Sequence, residues 1–130
     1  MHHMTHMDKN MKDCIETCNE CRDECEATLY QHCLEMGEDH AEQKHVRLMA
    51  DCIEICQTAA HFMLRGSEQH MAICAACADI CDACADSCEE LDGEEMKNCA
   101  ETCRKCAESC RAMGGSGSQS QGTGGSKRAA

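Results

Sequence analysis

The sequence predicts an all-α fold: an antiparallel, up-down-up-down four-helix bundle with a cysteine-lined core. The chain of 130 residues contains 16 cysteines and no proline. Most of the cysteines recur at intervals of three and four residues, the spacing at which side chains share one face of an α-helix. Gly37, Gly66 and Gly93 divide this pattern into four segments. Because the connections are short, consecutive helices should be antiparallel neighbours.

The first helix is predicted from about residue 8 to residue 36, with Gly37 as its terminator. Four regularly spaced cysteines define its inward face, namely Cys14, Cys18, Cys21 and Cys25. Continued at the same spacing, this face passes through His32 and Met36, and Cys33 falls one position beside it.

The second helix is predicted from about residue 39 to residue 64 and has a single cysteine pair. Its inward face is His45, Met49, Cys52, Cys56, Ala59 and Met63. The third helix follows Ser67, a favourable N-cap residue. Its inward face is His70, Cys74, Cys77, Cys81, Cys84 and Cys88.

The fourth helix is predicted to follow Asp92, which together with Glu95 resembles a capping box. Its inward face is Met96, Cys99, Cys103, Cys106, Cys110 and Met113. The bundle therefore occupies residues 8–113. Residues 1–7 form a segment rich in His and Met, and residues 114–130 form a Gly- and Ser-rich tail that we expect to lie outside the fold.

Charge and hydropathy argue against two classes of partner. The chain has 12 Lys and Arg against 24 Asp and Glu, whereas binding to nucleic acid phosphates needs a basic face. No segment approaches the roughly 18 consecutive apolar residues of a membrane-spanning helix. We therefore expect neither a nucleic acid nor a membrane partner. Since the first residues lack the apolar stretch of a secretory signal, we expect a cytoplasmic protein with reduced thiols.

Disulfide bonding and simple packing are two alternative roles for the cysteines. Small disulfide-rich domains are rich in loops, whereas these cysteines lie at helical intervals, where parallel Cα–Cβ vectors suit a bridge poorly. A free cysteine also packs as a small hydrophobe. However, a chain with one Tyr, one Phe and no Trp would fill a thiol-lined interior poorly. We therefore expect the thiols to bind metal.

Thiolate ligands favour soft metal ions, of which Cu(I) is the first candidate and Zn(II) the alternative. Two cysteines four residues apart place their sulfurs on one face, within reach of a single ion. Structural zinc prefers a closed set of four ligands, and the continuous spacing contains no isolated set of four. The core would hold about 8 Cu(I) ions if each ion used two unshared thiolates, and about 16 if every thiolate bridged two ions. We expect a number in the upper half of that range.

Six further soft side chains lie on the projected inward faces and are candidate additional ligands. They are His32, His45, Met49, Met63, His70 and Met113. A methionine at a helix end more often fills space than binds metal. For a histidine on the inward face, ligation and simple hydrogen bonding are comparable expectations.

The repeated CxxxC pairs resemble those of the bacterial four-helix-bundle copper storage proteins. The matching pairs are Cys14/Cys18, Cys21/Cys25, Cys52/Cys56, Cys77/Cys81, Cys84/Cys88, Cys99/Cys103 and Cys106/Cys110, with Cys33 and Cys74 as single thiols. The resemblance covers residues 8–113. It implies a core that holds many Cu(I) ions, copper storage as the function and a homotetrameric assembly. The lack of a signal sequence resembles the cytosolic branch of the family.

Three functions compete on the sequence alone. The first is Cu(I) storage and buffering by a binding protein that is not an enzyme, loaded by a copper chaperone or a small-molecule copper donor. The second is a zinc or mixed-metal thiolate sink. The third is a thiol-disulfide oxidoreductase that uses a CxxC step such as Cys74/Cys77, but the chain lacks the βαβ context of such enzymes. We expect the first function.

Overall fold

The computed structural model describes residues 8–114, which form a bundle of four long helices. These are α1 (Lys9–Thr28), α2 (Gln43–Leu64), α3 (His70–Glu89) and α4 (Glu94–Met113). Helix α1 packs against α2 and α4, and α3 packs against the same two helices. Helices that follow one another in the chain are thus neighbours, and α4 closes the bundle beside α1. The predicted fold class is confirmed. The predicted segment 1–7 lies outside the described residues, as does the predicted tail 114–130 apart from Gly114.

Helix α1 departs from regular geometry in its last turns. It continues through a π-helical turn, Leu29–Cys33, and a short α-helical end, Leu34–Met36. Cys33 follows Cys25 by eight residues, one more than a seven-residue repeat allows, and the wider π turn takes up the extra residue. Cys33 is therefore fully buried and Met36 is 57% exposed. The prediction that Met36 continues the inward face was wrong.

The helix starts differ in detail from the predicted caps. A 3-10 turn, Glu38–Ala41, precedes α2, whose N-cap residue Glu42 accepts a hydrogen bond from the backbone N–H of His45 at 3.2 Å. Before α3, the Ser67 hydroxyl accepts a hydrogen bond from the Gln69 N–H at 3.0 Å, so this residue shapes the turn, and Gln69 is the N-cap. The predicted capping box at Asp92 was wrong, because the N-cap of α4 is Gly93 and it makes no side-chain bond.

The interior of the bundle is built mainly from cysteine, alanine and methionine. The fully buried side chains larger than cysteine are Leu29, Met49, Met63 and Met96. Buried alanines flank the thiols on the two helices with the most extensive mutual contact, α3 and α4. They are Ala78, Ala85, Ala100 and Ala107. Small residues at these positions let the helices approach closely, and the thiols of facing helices come into contact.

Charged side chains connect α3 and α4 on the outside of the bundle. The Arg104 guanidinium forms ion pairs with Asp82 at 3.0 Å, Glu89 at 2.9 Å and Asp86. Two turns further along α4, Arg111 forms ion pairs with Asp79 at 3.2 Å and Asp82 at 3.1 Å. The two arginines thus neutralise a row of acidic residues on α3 that would otherwise repel one another.

We predict that Arg104→Gln lowers the free energy of unfolding of the metal-free protein by about 1 kcal/mol, because a shared network is worth more than one exposed pair. Lys105→Gln is the matched control, since Lys105 makes a single exposed pair with Glu20 at 3.7 Å. Urea unfolding followed by circular dichroism measures both variants. Equal stability of the two variants would contradict the prediction.

Candidate metal centre

All sixteen cysteines point into the bundle. Each side chain is free and has no solvent-exposed surface. Every one of the four helices contributes, although α2 supplies only Cys52 and Cys56. The three- and four-residue spacing of the sequence therefore places its thiols inside one enclosed volume, away from water.

The cysteine sulfurs form a continuous series of contacts through the core. Starting near the beginning of α1, neighbouring Sγ atoms are 3.4–3.9 Å apart along a path through Cys14, Cys110, Cys18, Cys106, Cys56, Cys81, Cys52, Cys25 and Cys99. Cys77 joins the path at Cys56 and Cys81, and Cys21 and Cys103 join it at Cys25. Most of these contacts cross between helices.

This spacing suits metal ions held between sulfurs. With metal–thiolate bonds of about 2.3 Å, sulfurs on one three- or four-coordinate ion lie roughly 4 Å apart. The Cys25 sulfur, for example, is 3.5 Å from the Cys103 sulfur and 3.8 Å from the Cys52 sulfur. An ion can therefore be bound with small side-chain movements and without rearrangement of the helices.

Three sets of four sulfurs are compact enough to surround one ion each. They are Cys18/Cys77/Cys106/Cys110, Cys21/Cys25/Cys52/Cys103 and Cys21/Cys56/Cys81/Cys106. The third set shares Cys106 with the first and Cys21 with the second. Without a bridging thiolate, only two of these three sets can each hold a four-coordinate ion at the same time. The core is therefore different from a row of independent tetrahedral sites.

Methionine and histidine replace cysteine at the end of the core near the α1–α2 connection. The Met49 thioether sulfur accepts from the thiols of Cys84 at 3.5 Å and Cys88 at 3.6 Å. Beyond them, the Cys33 sulfur lies 3.7 Å from the Met96 thioether and 3.4 Å from Nε2 of His45. This end is thus a mixed group of thiol, thioether and imidazole.

Burial keeps these groups uncharged in the absence of metal. Desolvation, followed by the charges of Cys99 and Cys84, raises the pKa of the Cys33 thiol to about 11. Desolvation also lowers the pKa of the His45 imidazole, so the neutral ring is favoured. The second ring nitrogen of His45, Nδ1, lies 2.7 Å from the Ser87 hydroxyl and is thereby held in place. Before metal binds, this end of the core therefore favours a protonated Cys33 thiol and a neutral His45 ring.

The remaining candidate ligands lie at the ends of the core. Met63 is fully buried, while Met113 is partly buried and packs against the core. His70 is partly buried, and its Nδ1 is bound to the backbone oxygen of Ser67 at 2.9 Å. His32 does not follow the thiols inward as its spacing suggested. Because of the π turn, it lies beside His40 and Glu95.

Two residues in contact with this group were not among the candidate ligands from the sequence. Met96 contacts Cys33, and its position three residues before Cys99 on the inward face was the available signal. Ser87 fixes the His45 ring across the α2–α3 interface, and no local pattern in the sequence indicates that pairing.

Within residues 8–114, no helix is both long and apolar enough to cross a membrane.

The chain is similar to known proteins over this same region. A protein from Nitrosospira multiformis of known structure is 52% identical, with a TM-score of 0.80, over 82% of this chain and 96% of that one. The structure described as Cu(I)-bound copper storage protein BsCsp3 is 37% identical, with a TM-score of 0.76, over 82% of this chain and 99% of that one. The cysteine-rich protein YhjQ of Bacillus subtilis is 37% identical over 74 residues, 57% of this chain and 68% of that protein.

The family model described as copper storage protein matches residues 7–115. This range contains all four helices and every cysteine of the core. With its buried thiols and its four-helix bundle, the chain belongs to the copper storage protein family.

Proposed function

We propose that the protein stores Cu(I) in its core as ions bridged by shared thiolates. The observation that carries this proposal is the unbroken series of Sγ contacts from Cys14 to Cys99. Soft thiolate ligands favour Cu(I), and the similar structure of BsCsp3 is described as Cu(I)-bound. Buried ions are kept from water, so the core holds copper without exposing it.

All sixteen cysteines are the proposed ligands, since all are buried and face the same interior. At the end near Cys33, we propose His45 and Met49 as additional ligands, joined by Met96. At the opposite end, Met63, His70 and Met113 are the candidate donors, because they lie at the limit of the thiol core. His32 is set apart from both groups by its contacts outside the core.

Zinc is the second candidate cargo, and the sharing of sulfurs argues against it. Structural zinc sites are closed tetrahedral sets of four ligands. The three compact sets of this core overlap at Cys21 and Cys106. A cargo that accepts bridging thiolates and low coordination numbers can use every sulfur, whereas separate zinc sites leave many thiols without metal.

We propose that the protein acts in the cytoplasm as a homotetramer and catalyses no reaction. Its partners are copper ions and a donor, either a copper chaperone or a small-molecule copper complex. Reduced thiols are stable in that compartment, which supports the location. Sedimentation of the reduced protein tests the assembly, for which a mass of four chains is expected and a monomer would contradict it.

We predict that the reduced, metal-free protein binds more than about 12 Cu(I) ions per chain and retains them against a competing chelator, because each thiolate bridges ions. An anaerobic titration with Cu(I) and bathocuproine disulfonate measures capacity, with Zn(II) in a parallel titration. Saturation at about one to four Cu(I) would contradict storage. Saturation near four Zn(II), with weak retention of copper, would support the zinc sink instead.

Two variants make this titration specific to the core. Cys25→Ser removes a sulfur that contacts four other thiols, those of Cys21, Cys52, Cys99 and Cys103. It should lower the capacity by more than Cys33→Ser, whose sulfur contacts one imidazole and one thioether. Equal losses in the two variants would show that position in the sulfur network does not matter.

Copper binding must displace protons, because the thiolate is the ligand and burial favours the protonated form of a thiol before metal binds. The proton balance also determines stability at high pH. The pKa of Cys33 is raised from 9.0 to about 11, so between these values the unfolded chain has lost a proton that the folded chain retains. The free energy of unfolding therefore falls as the pH rises through this range.

We predict that the metal-free protein loses about 2 kcal/mol of stability between roughly pH 9 and pH 11 from Cys33 alone. Anaerobic urea unfolding at pH 8, 9.5 and 10.5 measures this loss, and Cys33→Ala should reduce it. The Cu(I)-loaded protein should not show it, because its thiolates hold copper in place of protons. A metal-free protein as stable at pH 10.5 as at pH 8 would contradict the prediction.

A further inference from the structure

A pair of histidines lies at one end of the bundle, outside the thiol core. His32 belongs to the π turn after α1 and His40 to the 3-10 turn before α2. Their ring centres are 5.1 Å apart, and the ring planes are nearly perpendicular at 82°. Both rings are partly buried. Two successive turns between α1 and α2 therefore bring two imidazoles together.

In each ring, one nitrogen lies near an oxygen atom, and the other nitrogen makes no hydrogen bond within residues 8–114. Nε2 of His40 lies 3.1 Å from the backbone oxygen of Asp92. Since a carbonyl only accepts, this nitrogen donates, and Nδ1 carries the lone pair. Nδ1 of His32 faces Oε1 of Glu95 at 3.9 Å, and Nε2 of His32 is buried without a hydrogen-bond partner in residues 8–114.

This is the arrangement that metal-binding histidines adopt. A ligating imidazole uses one nitrogen for the metal and directs the other N–H to a backbone carbonyl or a carboxylate. His40 has the carbonyl of Asp92 in that position. For His32, the carboxylate of Glu95 lies on the corresponding side of the ring at 3.9 Å, so a small side-chain movement would bring it to hydrogen-bond distance. A buried nitrogen without a partner is also costly in a protein. A metal ion would satisfy Nε2 of His32.

We propose that His32 and His40 bind a borderline divalent cation of the Zn(II) or Cu(II) type, through Nε2 and Nδ1 respectively. Water completes the coordination, and Glu95 orients the His32 ring. With metal–nitrogen bonds of about 2.0–2.1 Å at tetrahedral angles, two ligating imidazoles have ring centres about 5 Å apart. The observed separation of 5.1 Å matches this value.

This site differs in chemistry from the Cu(I) core. Its ligands are neutral nitrogens beside a carboxylate, which suit borderline divalent ions, whereas the thiolates select soft Cu(I). Cys33 follows His32 directly in the chain, but its sulfur contacts His45 and Met96 inside the bundle. A divalent ion at the histidine pair would therefore bind beside the stored copper without taking its ligands.

The test uses the full chain with its core first filled with Cu(I), so that the thiols are not available to a second metal. Anaerobic titration with Co(II), followed by its visible absorption, should show weak ligand-field bands of nitrogen and oxygen coordination. His40→Gln should bind one equivalent less than the unaltered chain, and Glu95→Gln should bind about 10-fold more weakly at this site. Zn(II) should displace the bound Co(II).

His61→Gln is the matched control, because His61 is exposed on α2 and belongs to neither site. It should bind as much Co(II) as the unaltered chain, and any binding by the histidines of residues 1–7 is common to all variants. Equal Co(II) binding by His40→Gln and His61→Gln would overturn the proposal. Intense thiolate-to-cobalt charge-transfer bands would also overturn it, since they would place the ion in the core.

Discussion

Contact between small thiols across four helices is the constraint on which this structure depends. A cysteine side chain is short, so sulfurs of facing helices meet at 3.4–3.9 Å only if the backbones approach closely. The buried alanines of α3 and α4 permit that approach. At the end of α4, a Cβ added to Gly114 would lie 2.9 Å from the backbone nitrogen of Ala75. A continuous sulfur core therefore requires closely packed helices.

The same constraint affects the stability of the metal-free protein and of the copper-loaded protein differently. A thiol buries less apolar surface than a leucine, so the hydrophobic contribution at each inward position is reduced. The outer ion pairs of Arg104 and Arg111 then support α3 and α4 while the core is empty. Metal that binds only the folded state adds its binding free energy to folding. Storage of copper should therefore stabilise the bundle that encloses it.

The sequence predicts the helices and the inward thiols well, because a period of three and four residues encodes a buried helix face directly. Irregular helix geometry is harder to predict from the sequence. The π turn places Cys33 inward and removes His32 from the core, and a single extra residue in a repeat does not reveal where the helix will widen. Contacts between helices, such as Ser87 with His45 or the overlapping sets at Cys21 and Cys106, depend on the rotation and axial shift of packed helices. Those quantities follow from packing of the whole bundle.

The central claim is that copper occupies one connected core of shared thiolates. Anomalous diffraction at the copper edge from crystals of the Cu(I)-loaded protein tests it most directly, because it locates each ion among the sulfurs. We expect a series of copper sites along the bundle axis between Cys14 and Cys33, with single thiolates bridging neighbouring ions. Copper confined to isolated four-sulfur sites, or bound mainly on the outer surface, would contradict the claim.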